Sequence, residues 1–155
     1  MKTIIKVKRL TDSARLPIRG HNGDDWGLDL FVDTFSYIRD PNTGCSIIQQ
    51  VSSGLAVEIE SDPPIYGYDL RARSSVYKMK LMPCNGIGTI DINYRGSLNM
   101  NFYCMTQEPT FYGKGDRFAQ LVLPATINPH DIDVVEVFEL SDTTRGSGGF
   151  GSTGK

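Results

Sequence analysis

Asn85-Gly86-Ile87-Gly88-Thr89-Ile90-Asp91-Ile92-Asn93-Tyr94-Arg95-Gly96 runs straight into Ser97-Leu98-Asn99-Met100-Asn101-Phe102-Tyr103-Cys104. In the second half Leu98, Met100, Phe102 and Cys104 alternate with Asn99, Asn101 and Tyr103, the period of two that marks a half-buried strand. The first half is broken by glycines and flanked by β-like runs, so it reads as a hairpin. The same alternation recurs on either side: Ile5 and Val7 against Lys6 and Lys8, then Leu55, Val57 and Ile59 against Ala56, Glu58 and Glu60. Val122-Leu123 and residues 132–138 add further β-branched and apolar runs. Sixteen glycines and eight prolines supply the breaks, as at Pro41-Asn42-Thr43-Gly44 and Pro63-Pro64. No long amphipathic helix is present, and one short helical turn is expected over residues 75–79. Regular strand spacing predicts an all-β domain, a sandwich or jelly roll.

With 155 residues the chain is long enough for one domain with its own core. A formal net charge of −2 gives no basis for electrostatic capture of long nucleic acid. No run of about 18 apolar residues exists, so no membrane span is expected, and the first ten residues lack a signal-peptide core. Cys45, Cys84 and Cys104 are an odd count without a C-x-x-C pair. They point to reduced thiols and a cytoplasmic setting, or the nucleus in a eukaryotic or viral context.

Residues 1–140 read as the folded domain and 141–155 as a C-terminal arm. From Arg145 onward the arm is almost all Gly, Ser and Thr around Phe150. Composition alone suits a disordered end or a linker. The alternative is an arm that orders on a ligand, its glycines bringing N–H groups to phosphate oxygens, Arg145 adding charge and Phe150 a flat face.

Four other segments carry residues with chemical use, each with a plain structural alternative. The tip of the 85–96 hairpin offers backbone donors and acceptors to the edge of a flat base. Asp91 there could take a proton from water and Tyr94 could pack on a sugar; the segment also reads as an ordinary surface turn. Arg71-Ala72-Arg73-Ser74-Ser75 joins guanidinium forks and hydroxyls at the start of a helical turn, which suits a phosphate and equally a serine cap. Gly115-Asp116-Arg117-Phe118-Ala119-Gln120-Leu121 looks like a turn entering a buried strand, where Gln120 needs a partner. Trp26-Gly27-Leu28-Asp29-Leu30 sets an acid in an apolar strand, on a solvated face or holding a loop or a hydrated metal. His21 and His130 are isolated, without a partner at metal-ligand spacing.

In this order the segments resemble the five motifs of the trimeric dUTPase family. Gly27-Leu28-Asp29-Leu30 is similar to the first, Ala72-Arg73-Ser74-Ser75 to the second, Gly88 through Gly96 to the third, and Gly115 through Leu121 to the fourth. The stretch from Arg145 to Gly154 matches the fifth throughout. The resemblance implies a distorted jelly-roll (β-clip type) subunit with a flexible Gly-rich arm. It also implies a homotrimer whose active sites borrow motifs from neighbouring subunits. The activity implied is Mg2+-assisted hydrolysis of dUTP to dUMP and pyrophosphate, limiting uracil in DNA and supplying dUMP for thymidylate synthesis. Asp91 is then the catalytic residue. Base and sugar contacts fall to Asn85, Gly88, Thr89, Ile90, Tyr94, Asn99 and Phe150. Phosphate contacts fall to Arg73, Ser74, Ser75, Gln120, Arg145, Gly149, Gly151, Ser152 and Thr153. The metal takes no direct protein ligand, Asp29 reaching it only through water. The implied partners are dUTP and two further copies of the chain, with no nucleic acid and no membrane.

Two positions depart from the family pattern: Ala72 stands where Pro is usual and Ser75 where Gly is usual. The Arg-Ser-Ser form also resembles the related dCTP deaminases, but Asn101 falls where those enzymes carry a glutamate, and an amide cannot serve as their acid–base group. A nucleotide-binding regulatory protein on the same fold is the remaining alternative. Residues 36–51 form a longer loop or hairpin than is typical, with no function assigned.

Overall fold

Among the described residues, alternation of apolar and polar side chains becomes twelve short strands in the computed structural model of the protein. It describes the chain except residues 1, 40, 43–46, 107, 109, 152, 153 and 155. The strands are β1 (Thr3–Arg9), β2 (Ile18–Arg19), β3 (Leu28–Phe31), β4 (Thr34–Arg39), β5 (Ile47–Ser52) and β6 (Leu55–Glu60). They continue with β7 (Gly67–Ala72), β8 (Leu81–Pro83), β9 (Gly88–Asp91), β10 (Asn99–Cys104), β11 (Arg117–Val122) and β12 (Ile132–Glu136). They form three sheets in the orders β12-β1-β6, β4-β5-β10-β8 and β2-β3-β11-β7-β9. The fold is all-β, as the alternation predicts. The expected helical turn is a 3-10 helix, Ser74–Met79, ended by Lys80 in the left-handed conformation. The run over 132–138 stops as a strand at Glu136, and Phe138 stands 95% exposed. No helix among the described residues is long and apolar enough to cross a membrane.

One core joins all three sheets. Ile5 and Val7 of β1, Leu30 of β3, Val57 of β6, Leu70 of β7, Phe102 of β10, and Phe118 and Leu121 of β11 belong to a single buried cluster. In β10 the alternation holds up to Tyr103: Met100 and Phe102 are buried, Asn99, Asn101 and Tyr103 are half-exposed, and it lapses at Cys104, which is also half-exposed. Each buried methylene contributes on the order of 0.8 kcal/mol, so the side chains facing this cluster determine the register. A slip of one residue would turn Asn99 and Asn101 inward.

Gln49 and Asp33, two polar side chains inside the core, are paired. Gln49 is 0% exposed. Its Nε2 donates to the Tyr112 carbonyl at 2.7 Å, and its Oε1 accepts from the Tyr112 N–H at 3.0 Å. That clamp ties β5 to the loop entering β11. Asp33 accepts from the hydroxyls of Thr11 and Ser13 at 2.7 and 2.6 Å, fastening the loop after β1. At Gly67 a Cβ would meet the Ile90 carbonyl oxygen at 2.9 Å, so glycine lets β9 lie close against β7.

The arm begins tied to the domain. The Ser141 N–H donates to Glu58 Oε2 at 2.7 Å, and Arg95 Nε donates to the Ser141 carbonyl at 3.0 Å. Thr143 Oγ1 donates to the Asn93 carbonyl at 2.5 Å, and the Arg95 N–H donates to the Gly146 carbonyl at 2.7 Å. Burial opposes the Glu58 charge, but the Ser141 bonds with the charges of Lys6 and Arg95 outweigh it, and its pKa falls below the ordinary 4.5. Ser152 and Thr153 lie outside the described residues, as do Cys45 and half of the turn at 41–44.

Two outcomes are expected. Gln49→Leu leaves the Tyr112 N–H and carbonyl buried without partners, at roughly 1–3 kcal/mol each, and lowers the urea midpoint at an unchanged m-value. The second concerns pH. A carboxyl whose folded pKa is depressed contributes fully above its unfolded pKa and loses that contribution as pH falls through the folded one. Protection of the Ser141 amide in hydrogen exchange therefore stays level from neutral pH to about 5 and is lost only in stronger acid. Glu58→Gln lowers that protection near neutral pH and makes little difference in strong acid, where the wild-type carboxyl is itself neutral.

Candidate active site

The edge strand β9 presents Asp91 at its C-terminal end, in register with Gly67 of β7. Beside it lies a cavity of about 210 Å³. Asn85, Gly88, Thr89, Ile90, Asp91, Tyr94 and Asn99 line it from the hairpin and β10, and Arg145, Gly149 and Phe150 from the arm. The structure thus brings together all the residues expected to meet a base and sugar, together with Asp91 and two of the expected phosphate contacts. The Arg145 guanidinium pairs directly with the Asp91 carboxylate and lies 5.7 Å from the centre of the Tyr94 ring.

Tyr94 is held in one pose. Its hydroxyl donates to the Ser97 carbonyl at 3.0 Å. A side chain at Gly96 would collide with that hydroxyl, and one at Gly149 would stand 3.1 Å from Tyr94 Cε2. Glycine at 96 lets the chain turn under the ring, and glycine at 149 lets the arm lie against it. Burial pushes the Tyr94 phenol above its usual pKa, so the ring stays neutral. Among the described residues Asn99 Oδ1 is buried beside this cavity without a hydrogen-bond partner, an acceptor left for a donor. Gly151 follows Phe150 with a positive φ of 90°, and Phe150 itself is 69% exposed.

Arg73, Ser75 and Gln120, also expected at the phosphates, gather elsewhere. Register places Gln120 of β11 opposite Asp29 of β3. Asp29, 1% exposed, accepts from Gln120 Nε2 at 3.0 Å and Arg117 Nη1 at 3.1 Å, and Arg73 Nε stands 3.3 Å away. Both carboxylate oxygens are engaged by side-chain donors, so Asp29 faces inward onto two arginines and an amide. Arg73 is the N-cap of the 3-10 helix that Ser74 opens. Arg73 and Ser75 line a second cavity, of about 360 Å³, with Tyr112 and Arg117. It shares no lining residue with the first.

Arg95, Arg117 and Tyr112 were not among the residues expected at a site. Arg95 and Arg117 stand inside the quoted motif segments, and their partners Ser141 and Asp29 are 46 and 88 residues away. Tyr112 carries no sequence signal beyond an aromatic ahead of a strand. Asn101, where deamination needs an acid, pairs with Gln50 of β5. His21 pairs with Asp25 at 2.7 Å, and His130 gives its N–H to Asn128. Burial pushes the Cys84 and Cys104 thiols up, and both are free. Among the described residues no group of three or more His, Cys, Asp or Glu side chains could hold a metal ion.

Comparison with known proteins gives the family. A dUTPase family model matches residues 13–154. Among curated relatives, the deoxyuridine 5'-triphosphate nucleotidohydrolase of Paramecium bursaria Chlorella virus 1 is 36% identical, with 96% of each chain covered. That of Gloeothece citriformis is 38% identical, covering 97% of this chain and 96% of its own. A dUTPase of Staphylococcus bacteriophage 80alpha, solved with dUpNHpp, superposes with a TM-score of 0.59 at 26% identity, over 97% of this chain and 98% of its own. A dUTPase of phage phi11 of S. aureus, solved with a structural Mg(II) ion, gives 0.56 at 25% identity, over 76% and 88%. Matched from end to end by relatives of its own length, the chain belongs to the dUTPase family.

Proposed function

We propose that the protein hydrolyses dUTP to dUMP and pyrophosphate, with Asp91 as the general base. The observation that carries this reading is the shared cavity, in which Asp91 stands among Asn85, Tyr94, Asn99, Arg145 and Phe150. Asp91 takes a proton from water as the water oxygen attacks the α-phosphorus. The bond from that phosphorus to the bridging oxygen breaks, and pyrophosphate leaves.

Base selection suits a uracil read by the edges of Gly88, Thr89 and Ile90 with the Asn85 and Asn99 amides. The fixed Tyr94 ring crowds the place of a ribose 2′-hydroxyl and so favours deoxyribose. Phe150 stacks over the base as the arm closes. Arg73, Ser74, Ser75 and Gln120 hold the phosphate chain, with Arg145, Gly149, Gly151, Ser152 and Thr153 of the arm closing on it. Asp29 acts by aiming Arg73 and Gln120 at the phosphates.

In one chain the two groups line separate cavities. A homotrimer that seats one subunit's Arg73 cluster against the next subunit's Asp91 cavity accounts for this division. The donor set fits Mg2+ carried by the triphosphate and water, because Asp29, the buried acid of the phosphate cluster, has both oxygens committed. When bound, the ion supplies charge neutralisation on the phosphate oxygens.

Pyrophosphate release with dUTP, UTP, dCTP and dTTP tests the reading. A clear preference for dUTP is expected, and equal rates would reject it. Asp91→Asn keeps affinity for a non-hydrolysable dUTP analogue while turnover falls by about 10²–10⁴-fold; unchanged turnover removes Asp91 from its role.

A further inference from the structure

Tyr94 can crowd out a ribose hydroxyl only if its ring cannot tilt away from the sugar. The far end of the ring is held by one bond, from the phenol to the Ser97 carbonyl at 3.0 Å. Ser97 itself lines the Asp91 cavity. It stands between Gly96 and the start of β10 at Asn99, outside the strands. Gly96, needed to clear the Tyr94 ring, leaves a soft point in the backbone just before it. A carbonyl in such a bend can fix a ring only if its own peptide is fixed.

Two bonds do this. The Leu98 N–H belongs to the same planar peptide as the Ser97 carbonyl, and it donates to the Leu55 carbonyl at 2.9 Å. The Ser97 side chain supplies the second point: its hydroxyl lies 2.8 Å from the hydroxyl of Ser52. Ser52 is a firm anchor. It closes β5, in register with Thr34 of β4 on one side and Asn99 of β10 on the other. Its carbonyl accepts the Asp33 N–H at 2.9 Å. Its hydroxyl oxygen accepts the Gly54 N–H at 3.2 Å, which uses a lone pair and leaves the proton able to reach Ser97.

We infer that Ser52 is a positioning residue for sugar discrimination: through the Ser97 hydroxyl it holds the Ser97 carbonyl against the Tyr94 phenol, and so holds the ring over the place of a ribose 2′-oxygen. This rests on the dUTP reading above. Ser52 lies outside all the motif segments and touches no substrate atom. It acts only through Ser97 and Tyr94, so its loss loosens the ring without removing a catalytic group.

Steady-state kinetics of the full-length protein with dUTP and UTP, both with Mg2+, test this. In Ser52→Ala the preference for dUTP over UTP in kcat/KM is expected to fall by about three- to tenfold, the worth of one neutral hydrogen bond. The change comes from a gain with UTP while dUTP turnover holds, and a damaged fold cannot produce such a gain. In a background already carrying Ser97→Ala, adding Ser52→Ala is expected to change the preference no further, because the shared bond is already gone. An unchanged preference in Ser52→Ala overturns the inference and leaves the dUTP reading standing. An equal loss with both nucleotides overturns it by showing a general structural role, and so does a further fall in the double variant. A wild-type protein without preference for dUTP overturns the dUTP reading and this inference together.

Discussion

A carboxylate withdrawn from water must be surrounded by donors, and Asp29 organises half of the molecule's chemistry by that requirement. Desolvating such a group costs several kcal/mol even after relaxation. Gln120, Arg117 and Arg73 meet the cost together. They come from β11 and from the turn after β7, so the middle of the five-stranded sheet must be in register for the acid to be paired at all. Gln120 faces Asp29 on one side and Arg71 on the other. Removing any one donor leaves a buried charge under-compensated, while keeping all three holds Arg73 where a phosphate can use it. In the proposed reaction the cations would then be oriented before substrate arrives, with nothing spent on turning them.

The other half is organised by close backbone approach. Glycine at 67 lets β9 press against β7, and glycines at 96 and 149 leave room for the Tyr94 ring. A flat base is recognised best by groups that do not move, and backbone edges held in a sheet are the stiffest available. Charge recognition tolerates more freedom, since a guanidinium attracts a phosphate over a wider range of angles. The rigid cavity lies on the hairpin, and the adaptable donors lie on side chains and on the arm.

How much of this was legible in the sequence follows from the range of each interaction. Period-two alternation is local, and β1, β6 and β10 appear where it places them. The hairpin residues lie within fifteen positions of one another, from Asn85 to Asn99, so their convergence on one cavity was readable. The oddity of Asp29 in an apolar strand was visible, but not its partner 88 residues on. Residues 36–51, read as a loop or hairpin, carry β4 and β5 paired antiparallel, with Phe35, Tyr37 and Ile38 exposed on the edge strand β4. The use of Glu58 as an arm anchor was hidden: on β6 it reads only as the polar half of an alternation.

That anchor changes what the arm is. A Gly- and Ser-rich tail with no contacts would search a wide volume, and ordering it would cost on the order of 1–2 kcal/mol per residue. Here Ser141, Thr143 and Gly146 are already bonded to Glu58, Arg95 and Asn93. The stretch left to be ordered by a ligand begins near Arg145, whose charge is paired with Asp91. In the proposed reaction, arm closure over substrate would exchange that pairing for one with phosphate oxygens and free the carboxylate to act on water. A short tether with a paired charge at its base would then couple arm closure to activation of the base.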